Sequence, residues 1–307
     1  MSLLGTIGSV KLLGIVLAVQ VAIGLTLVAL VATDNVPFVD DGDSDGRPSA
    51  RASAAPKVDR FDGAAAFRLL RRQVELGPRP AGSPESRRLA QLLKRIIPSG
   101  RYQQVPDGLR NVVGTVRGRE PGYLVVGAHY DSKDIPGFVG ANDGASGTAV
   151  VAQIARTLRR PRHTIRFVFF DGEEAPRGVP DSQFERYGLR GSKVAARAFN
   201  DARAMVLLDF VGDRALAISR EQFSDAGLWR RLRAAAKRVG ATRAFPSTLQ
   251  GGVLDDHIPF RRQGVPSIDL IDFDFPCWHR RCDDMSAVSQ RSVDVVGETV
   301  YELLRDL

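Results

Sequence analysis

Imidazole and carboxylate side chains recur in this sequence where short apolar runs end. Such runs are typical of buried strands, and ligands of open α/β sheets bind beyond the carboxyl ends of the strands. We therefore expect the side chains that follow these runs to lie close together. They are His129 after Tyr123–Ala128, Asp143 in the next loop, Glu173 and Glu174 after Ile165–Phe170, Asp209 after Met205–Leu208, and His279 after the last run.

This set of side chains suits a zinc ion. Imidazole nitrogens and carboxylate oxygens bind Zn²⁺, and catalytic zinc sites keep an open position that polarises a carbonyl group or a bound water. In the pair Glu173-Glu174, one carboxylate can ligate the metal while its neighbour transfers a proton. Taken singly, a Glu pair is usually solvated surface, and an Asp after a strand is often a helix cap. Their recurrence in a chain with four His favours the metal site.

Strands that alternate with helices must position these groups. The alternation predicts an α/β fold, a three-layer sandwich with a mixed, largely parallel central β-sheet flanked by helices. A helical apolar pattern begins at Phe61 and resumes after Pro84. The predicted strands are Asn111–Val116, Tyr123–His129, Thr164–Asp171, Ala204–Phe210, Ala215–Ser219 and Ser267–Asp272, and the later predicted helices are Gly147–Leu158, Ser192–Phe199, Gly227–Val239 and Val293–Leu304.

The N-terminal part predicts a membrane anchor ahead of this domain. Residues 12–32 are apolar and carry no charge, and about 20 such residues can span a bilayer, whereas the apolar region of a cleaved signal is usually about 7–15 residues long. Residues 1–11 would be cytoplasmic. Residues 33–58, rich in Asp, Gly, Ser and Pro, are typical of a disordered linker. The catalytic domain, 59–307, would then lie outside the cytoplasm on a single-pass membrane protein, or be secreted if the segment is cleaved.

The positive net charge does not indicate a nucleic-acid partner. The formal charge is +8, but the basic residues are mostly Arg scattered in ones and twos, with no basic run and no interleaved aromatic residues. Solvated surface Arg is the simpler interpretation. We expect no nucleic-acid binding.

Five motifs in order resemble the superfamily of metallopeptidase fold that unites zinc aminopeptidases with glutaminyl cyclases. They are H-x-D-S at His129, G-A-N-D-G at Gly140, D-G-E-E at Asp171, the strand-end Asp209 and the late His279. The resemblance covers roughly residues 61–307. It implies an enzyme that acts on the N-termini of peptides or proteins with one or two Zn²⁺ per chain.

The resemblance also implies roles for individual residues. Asp143, Glu174 and His279 fall on the single zinc site of the cyclases, and His129 and Asp209 would complete a second site in the two-zinc aminopeptidases. Asp143 would bridge the two metals. Glu173 falls on the general acid/base in both branches.

The cyclase branch, which converts N-terminal Gln to pyroglutamate with release of ammonia, is the closer of the two. Asp131-Ser132-Lys133, the motif Asp255–Phe260 and the pair Trp278-His279 resemble the cyclases. A second Trp that the cyclases carry shortly after the Glu pair is missing. Because every ligand for two metals is present, aminopeptidase action is the alternative, and a non-catalytic metal-binding ectodomain is a remote one.

Further residues are expected around the reacting groups. Asp209 and Asp255 would hold the proton network and the substrate amine, and Trp278, Lys133 and Phe275 would wall the substrate pocket. Lys133 has an alternative role as a surface partner of Asp131 or Asp134. His257 is expected to pack or hydrogen bond rather than to ligate a metal.

The two cysteines, Cys277 and Cys282, flank Trp278-His279. Their thiolates could be zinc ligands, but the site already has enough donors. In an oxidising compartment a disulfide that rigidifies the ligand loop is favoured. A pair of free, partly buried thiols is the remaining alternative.

Overall fold

The computed structural model describes residues 55–307. The predicted cytoplasmic N-terminus, the predicted transmembrane segment 12–32 and nearly all of the predicted linker lie outside these residues. Within residues 55–307, no helix combines the length and the apolar character that crossing a membrane requires.

A six-stranded mixed sheet forms the centre of the domain. The strands are β1 Arg101–Val105, β2 Leu109–Val116, β3 Glu120–His129, β4 His163–Phe170, β5 Met205–Asp209 and β8 Ser267–Ile271. Their spatial order is β1-β2-β4-β3-β5-β8, with β3, β4, β5 and β8 parallel and β1 and β2 antiparallel to their neighbours. Residues Arg220–Glu221 (β6) and Leu249–Gln250 (β7) form a separate two-stranded sheet.

Helices cover both faces of the central sheet, which confirms the α/β prediction. The helices are α1 Gly63–Val74, α2 Pro84–Ile96, α3 Ala145–Thr157, α4 Phe184–Tyr187, α5 Arg190–Ala198, α6 Ala226–Val239, α7 His257–Arg262 and α8 Gln290–Asp306. One apolar cluster packs α1, α2, α3, α6 and α8 against one face, and a smaller cluster packs α5 and α7 against the other.

The helix after the Gly140–Gly144 motif lies unusually close to the sheet. A Cβ atom at Gly147, in the first turn of α3, would come within 2.1 Å of the Leu208 carbonyl oxygen in β5. Only glycine allows this approach. The approach brings the loop that carries Asp143 down to the carboxyl ends of β3 and β5.

The predicted strand Ala215–Ser219 is wrong. Leu216 and Ile218 are buried as the alternating pattern requires, but within residues 55–307 the segment has no strand partner. Its amides donate instead to a loop carbonyl and a side chain: Ile218 N to Ala244 O at 2.9 Å, and Ala217 N to the Asp272 carboxylate at 2.8 Å. Because alternate residues are buried on one side, the sequence has the pattern of a strand although the segment is not hydrogen bonded into a sheet.

Candidate active site

Parallel register brings the predicted site residues to one edge of the sheet. His129 is the last residue of β3 and is paired with Phe170, the last residue of β4, while Asp209 ends β5. Glu173 and Glu174 follow β4 after Gly172, whose positive φ of 73° turns the chain. The ends of three neighbouring strands therefore determine the positions of four of these side chains: His129, Glu173, Glu174 and Asp209.

Asp131 fixes the conformation of the glutamate pair. Its two carboxylate oxygens accept the backbone N–H groups of Glu173 at 3.3 Å and Glu174 at 3.2 Å. Arg190 holds the same turn by donating to the Glu174 carbonyl oxygen at 3.0 Å. Neither the Glu173 carboxyl nor the Glu174 carboxyl is needed to hold the loop, so both remain available for chemistry.

Two groups of ligand atoms converge at this edge, and they share Asp143. The first contains Asp143, Glu174 and His279, and the second contains His129, Asp143 and Asp209. His279 Nε2 lies 3.3 Å from Glu174 Oε1 and 3.6 Å from Asp143 Oδ2. His129 Nε2 lies 3.2 Å from Asp209 Oδ1 and 3.3 Å from Asp143 Oδ1.

These separations fit a metal ion. Ligands that sit about 2.0–2.1 Å from a tetrahedral zinc lie about 3.3 Å from one another. In addition, the buried Asp143 Oδ2 has no hydrogen-bond partner among the described residues, and a buried carboxylate oxygen without a partner is costly. The donor set, three carboxylates with two imidazoles, suits zinc.

His279 lies on a short loop closed by a disulfide. Cys277 and Cys282 are bonded, with their Cα atoms 5.4 Å apart. His279 has a positive φ of 52°, which is uncommon for a residue with a Cβ and requires support from its surroundings. The disulfide between Cys277 and Cys282 closes the chain around His279 and provides that support.

Asp283, directly after this loop, joins it to the loop of Asp143. Its two carboxylate oxygens accept the backbone N–H groups of Asn142 at 2.7 Å and Asp143 at 3.0 Å. Its own carbonyl oxygen accepts the Ala141 N–H at 3.2 Å. Burial raises the pKa of Asp283 to about 8. One residue thus ties together the two loops that carry Asp143 and His279.

Arg79 supports the same loop from the other side. The side chain is fully buried, and its guanidinium donates to the carbonyl oxygens of Gln73, Val139 and Gly140 at 3.1, 2.8 and 3.2 Å. Burial lowers its pKa to about 10. Sequence reasoning did not assign a role to Arg79 or Asp283. Their signal is weak, because each acts on backbone atoms that are remote in the sequence.

The two adjacent glutamates differ electrostatically. Burial, and then the charge of Glu174, raises the pKa of Glu173 well above its ordinary value. Burial acts on Glu174 in the same direction, but the hydrogen bond from His279 and the charge of Lys133 outweigh it and lower its pKa. The Lys133 ammonium donates to Glu174 Oε2 at 2.8 Å. Lys133 therefore pairs with Glu174 and not with Asp131 or Asp134.

Asp255 belongs to a second buried cluster of polar side chains. Burial, and then the charge of Asp255, raises the pKa of Asp269 well above its ordinary value. His257 lies between Asp269 and Glu221, with its ring nitrogens 3.7 Å and 3.3 Å from their carboxylate oxygens. All of these groups are buried. His257 lies in neither of the two groups of ligand atoms.

A cavity of about 490 Å³ joins these groups. Its lining includes Lys133, Asp143, Glu173, Glu174, Asp209, Asp255, Trp278 and His279, together with Phe184, Phe210 and Phe273. The expected pocket residue Phe275 does not line it. Phe275 is buried and packs against Phe210, at 6.2 Å between ring centroids, because the chain turns after β8 so that Phe273 faces the cavity instead.

The comparisons with known proteins place the chain in a family. Residues 111–304, more than half of the chain, match the family model for peptidase family M28. The chain belongs to peptidase family M28. A glutaminyl-peptide cyclotransferase of Bos taurus is 33% identical over 236 residues, which cover 62% of this chain and 65% of the bovine protein. The match thus spans less than two thirds of that relative's length.

Solved structures with this fold include members with both activities. A leucine aminopeptidase precursor from Bacteroides thetaiotaomicron has a TM-score of 0.73 at 26% identity, over 82% of this chain and 99% of that chain. A glutaminyl cyclase from the same species, bound to N-acetylhistamine, has a TM-score of 0.72 at 26% identity, over 81% and 99%. Both likenesses agree with the predicted mixed sheet flanked by helices.

Proposed function

We propose that this M28 member is a zinc-dependent glutaminyl-peptide cyclotransferase, which converts an N-terminal Gln to pyroglutamate and releases ammonia. The observation that carries the proposal is the single cavity in which Glu173, Asp255 and the ligand group Asp143, Glu174 and His279 meet. The similarity to the bovine cyclotransferase supports it. The substrates would be the N-termini of peptides and proteins.

Asp143, Glu174 and His279 would hold the metal. A zinc ion there supplies Lewis-acid polarisation of the side-chain amide carbonyl of the substrate Gln. Lys133 holds one Glu174 oxygen at 2.8 Å, so the other oxygen, 3.3 Å from His279 Nε2, faces the ligand group. Asp283 keeps the Asp143 loop in place for the same purpose.

Glu173 would transfer the proton. In the reaction, the α-amine nitrogen bonds to the side-chain amide carbon, and the bond from that carbon to the amide nitrogen breaks. The Glu173 carboxylate takes a proton from the attacking amine and gives it to the departing nitrogen, which leaves as ammonia. A free α-amine has a pKa near 8, so the attacking group needs little activation.

Asp209 and Asp255 would hold the amine, and the pocket walls would hold the substrate in its cyclising conformer. Both carboxylates are buried and line the same cavity as Glu173. Positioning of an intramolecular pair can contribute several kcal/mol to the rate. Trp278, on the wall beside His279, would exclude water from the bent side chain of the substrate.

Aminopeptidase action is the second candidate, and the group His129, Asp143 and Asp209 favours it. These residues would hold a second zinc, and Glu173 would then take a proton from the attacking water. The amine of the substrate would be held by the neighbouring carboxylates. The two candidates differ in metal content, with one zinc per chain for the cyclase and two for the aminopeptidase.

The location of the enzyme is part of the proposal. We infer that residues 12–32 anchor the chain in the cell membrane with the catalytic domain outside the cytoplasm. The apolar, uncharged composition of the segment supports this, as does the disulfide, which suits an oxidising compartment. Sedimentation of the full-length chain with membranes, but not of a chain that starts at residue 59, is expected. A full-length chain found in the soluble fraction would contradict the anchor.

Ammonia release tests the activity. The purified full-length chain, incubated with a Gln-initiated peptide, should release one ammonia per peptide, and a chelator should stop the release until zinc is restored. An otherwise identical peptide blocked by N-acetylation should release none, because it lacks a nucleophilic amine. No ammonia from the unblocked peptide would overturn the proposal.

A further inference from the structure

The five ligand residues differ in how firmly the fold holds them. Four are buried and lie at strand ends or in loops whose backbone N–H groups donate to buried carboxylates: His129, Asp143, Glu174 and Asp209. The side chain of the fifth, His279, is 23% exposed. Within residues 55–307, the N–H and carbonyl groups of His279 make no hydrogen bond to another backbone group. The position of His279 therefore depends on its neighbours in the same loop.

The disulfide is the covalent constraint on that loop. Cys277 and Cys282 are five positions apart, and His279 lies between them. Inside the loop, the Cys277 carbonyl oxygen accepts the Arg280 N–H at 2.9 Å, and this turn contains His279 with its positive φ of 52°. A residue with a Cβ keeps such a conformation only where its surroundings impose it. Opening the disulfide removes the covalent part of that constraint.

The other contacts of the loop lie largely at the surface. The Trp278 side chain is 40% exposed, and the exposed Arg281 guanidinium donates to the Pro136 carbonyl oxygen at 3.0 Å. The Phe138 ring meets the His279 ring edge-on, at 6.3 Å between centroids. Segments with few buried contacts and exposed hydrogen bonds open locally at little cost in free energy. We therefore expect the loop to lose its fixed conformation when the disulfide is reduced.

A reductant can reach this disulfide. Cys282 is exposed and Cys277 is half-buried. Exposed disulfides are the labile ones that exchange with external thiols, whereas structural disulfides resist reduction. The chain has two cysteines in all, so thiol–disulfide exchange has one target in this protein.

We propose that the disulfide Cys277–Cys282 is a redox switch on zinc affinity. The disulfide form holds His279 beside Asp143 and Glu174 and binds zinc tightly, whereas the dithiol form releases His279 and binds zinc weakly. The enzyme is then loaded with zinc where disulfides form and stays unloaded in a reducing compartment. This inference concerns metal binding and does not depend on which reaction the enzyme catalyses.

The switching step is exchange with a small dithiol. One sulfur of the dithiol bonds to a cysteine sulfur as the bond between Cys277 and Cys282 breaks, and the second sulfur of the dithiol then displaces that cysteine. Two electrons and two protons pass from the dithiol to the two cysteines, and the dithiol leaves as a cyclic disulfide. The oxidised dithiol reverses the step.

Zinc affinity of the full-length chain, measured by competition with a chromophoric chelator, tests the switch. The chain is reduced with dithiothreitol, freed of the reductant without air, and compared with the oxidised chain. Reduction should weaken zinc binding by about 10–100-fold, the range typical for loss of a group that orients a metal ligand, and reoxidation should restore it. Equal affinity in the two forms would overturn the inference. Tighter binding by the reduced form would also overturn it, because the thiolates would then be ligands.

Two variants assign the effect to His279. The double variant Cys277→Ser, Cys282→Ser should bind zinc weakly with or without the reductant. His279→Ala should also bind weakly and should not respond to reduction, because the residue that the disulfide positions is gone. If His279→Ala loses affinity on reduction by the same factor as the unchanged chain, the disulfide acts elsewhere and the inference is wrong.

Reversible reduction of the unchanged chain decides the matter if the double variant fails to fold. A chain that binds no zinc in either form would refute the metal site and the switch together. Loss of the switch with tight zinc binding in both forms would leave the metal site and the proposed activity intact.

Discussion

At the scale of single residues, the adjacent carboxyls of Glu173 and Glu174 are prepared for different tasks. Lys133 and His279 stabilise the charged form of Glu174, which suits a metal ligand, whereas burial beside Glu174 favours the protonated form of Glu173. A raised pKa moves a carboxyl group toward the pH range in which it can both take and return a proton, as a general acid/base must. The contrast between the neighbours thus supports the division of roles between them.

Replacement of Glu173 tests this division. Glu173→Gln keeps the shape of the side chain but cannot carry a proton, so kcat should fall by about 10²–10⁴-fold. Zinc content should not change, because Glu173 is in neither ligand group. Turnover of a Gln-initiated peptide and metal analysis of the same sample measure both quantities. Glu120→Gln, at an exposed residue at the start of β3, is the control. A Glu173→Gln variant with the full rate would refute the role.

The candidate site residues could largely be predicted from the sequence because most of them follow apolar runs. Parallel strands bring their ends together, and five of the site residues lie at strand ends or in the loops that follow: His129, Asp143, Glu173, Glu174 and Asp209. Arg79, Asp283 and Phe273 could not be found in this way. Arg79 and Asp283 act on backbone atoms that are far away in the sequence. Which of Phe273 and Phe275 faces the cavity depends on the turn after β8.

At the scale of elements, two loops must keep a fixed relation for the ligand group to exist. One carries Asp143 and the other carries His279, and the carboxylate of Asp283 bridges them through two backbone N–H groups. Partners that orient metal ligands typically change metal affinity or activity by about 10–100-fold when they are removed.

We predict that Asp283→Asn weakens zinc binding by about 10–100-fold. Asn offers one acceptor oxygen in place of two, so either the Asn142 or the Asp143 N–H loses its partner. Competition with a chromophoric chelator measures the affinity without any assay of activity. The neighbouring Asp284→Asn, whose carboxylate accepts hydrogen bonds from the backbone N–H and the hydroxyl of Ser286, should keep it. Equal affinities of the two variants would show that Asp283 does not position the loop.

The loop after β8 should make stability depend on pH. Burial raises the pKa of Asp272 from 3.8 to about 7, so between about pH 4 and pH 7 the folded state holds a proton that the unfolded state has lost. The free energy of unfolding therefore falls as pH rises through that window. The contribution is at most roughly 4 kcal/mol, since each pKa unit corresponds to about 1.4 kcal/mol.

Urea unfolding of the unchanged chain and of Asp272→Asn at pH 5 and pH 8 checks this. The amide cannot ionise and can still accept the Ala217 N–H, so the variant should lose less stability between the two pH values. Other buried carboxyls titrate in both proteins and cancel in the comparison. The same pH-dependent loss in both proteins would contradict the assignment.

The limits of sequence prediction at this scale are also physical. Long buried strands and amphipathic helices were predicted because their periodicity reflects burial on the sheet faces. The edge strand β1 was missed because one of its five residues is buried. Ala215–Ser219 was assigned wrongly because a loop can bury alternate residues as a strand does.

At the scale of the whole molecule, the order of strands concentrates the chemistry at one edge of the sheet. β3 is central, with β4 and β5 on either side, so their carboxyl ends lie next to each other and the α3 loop adds Asp143. The surface carries a positive net charge, while the mouth of the cavity carries exposed carboxylates. Net charge alone therefore does not describe the charges at the mouth of the cavity.

The fate of the substrate tests the central claim most directly. The full-length chain with its zinc is incubated with a Gln-initiated peptide and with an otherwise identical Leu-initiated peptide, and both are followed by mass spectrometry. We expect the Gln peptide to lose the mass of one ammonia and the Leu peptide to stay intact. Removal of the first residue from either peptide would contradict the cyclase and identify the M28 member as an aminopeptidase.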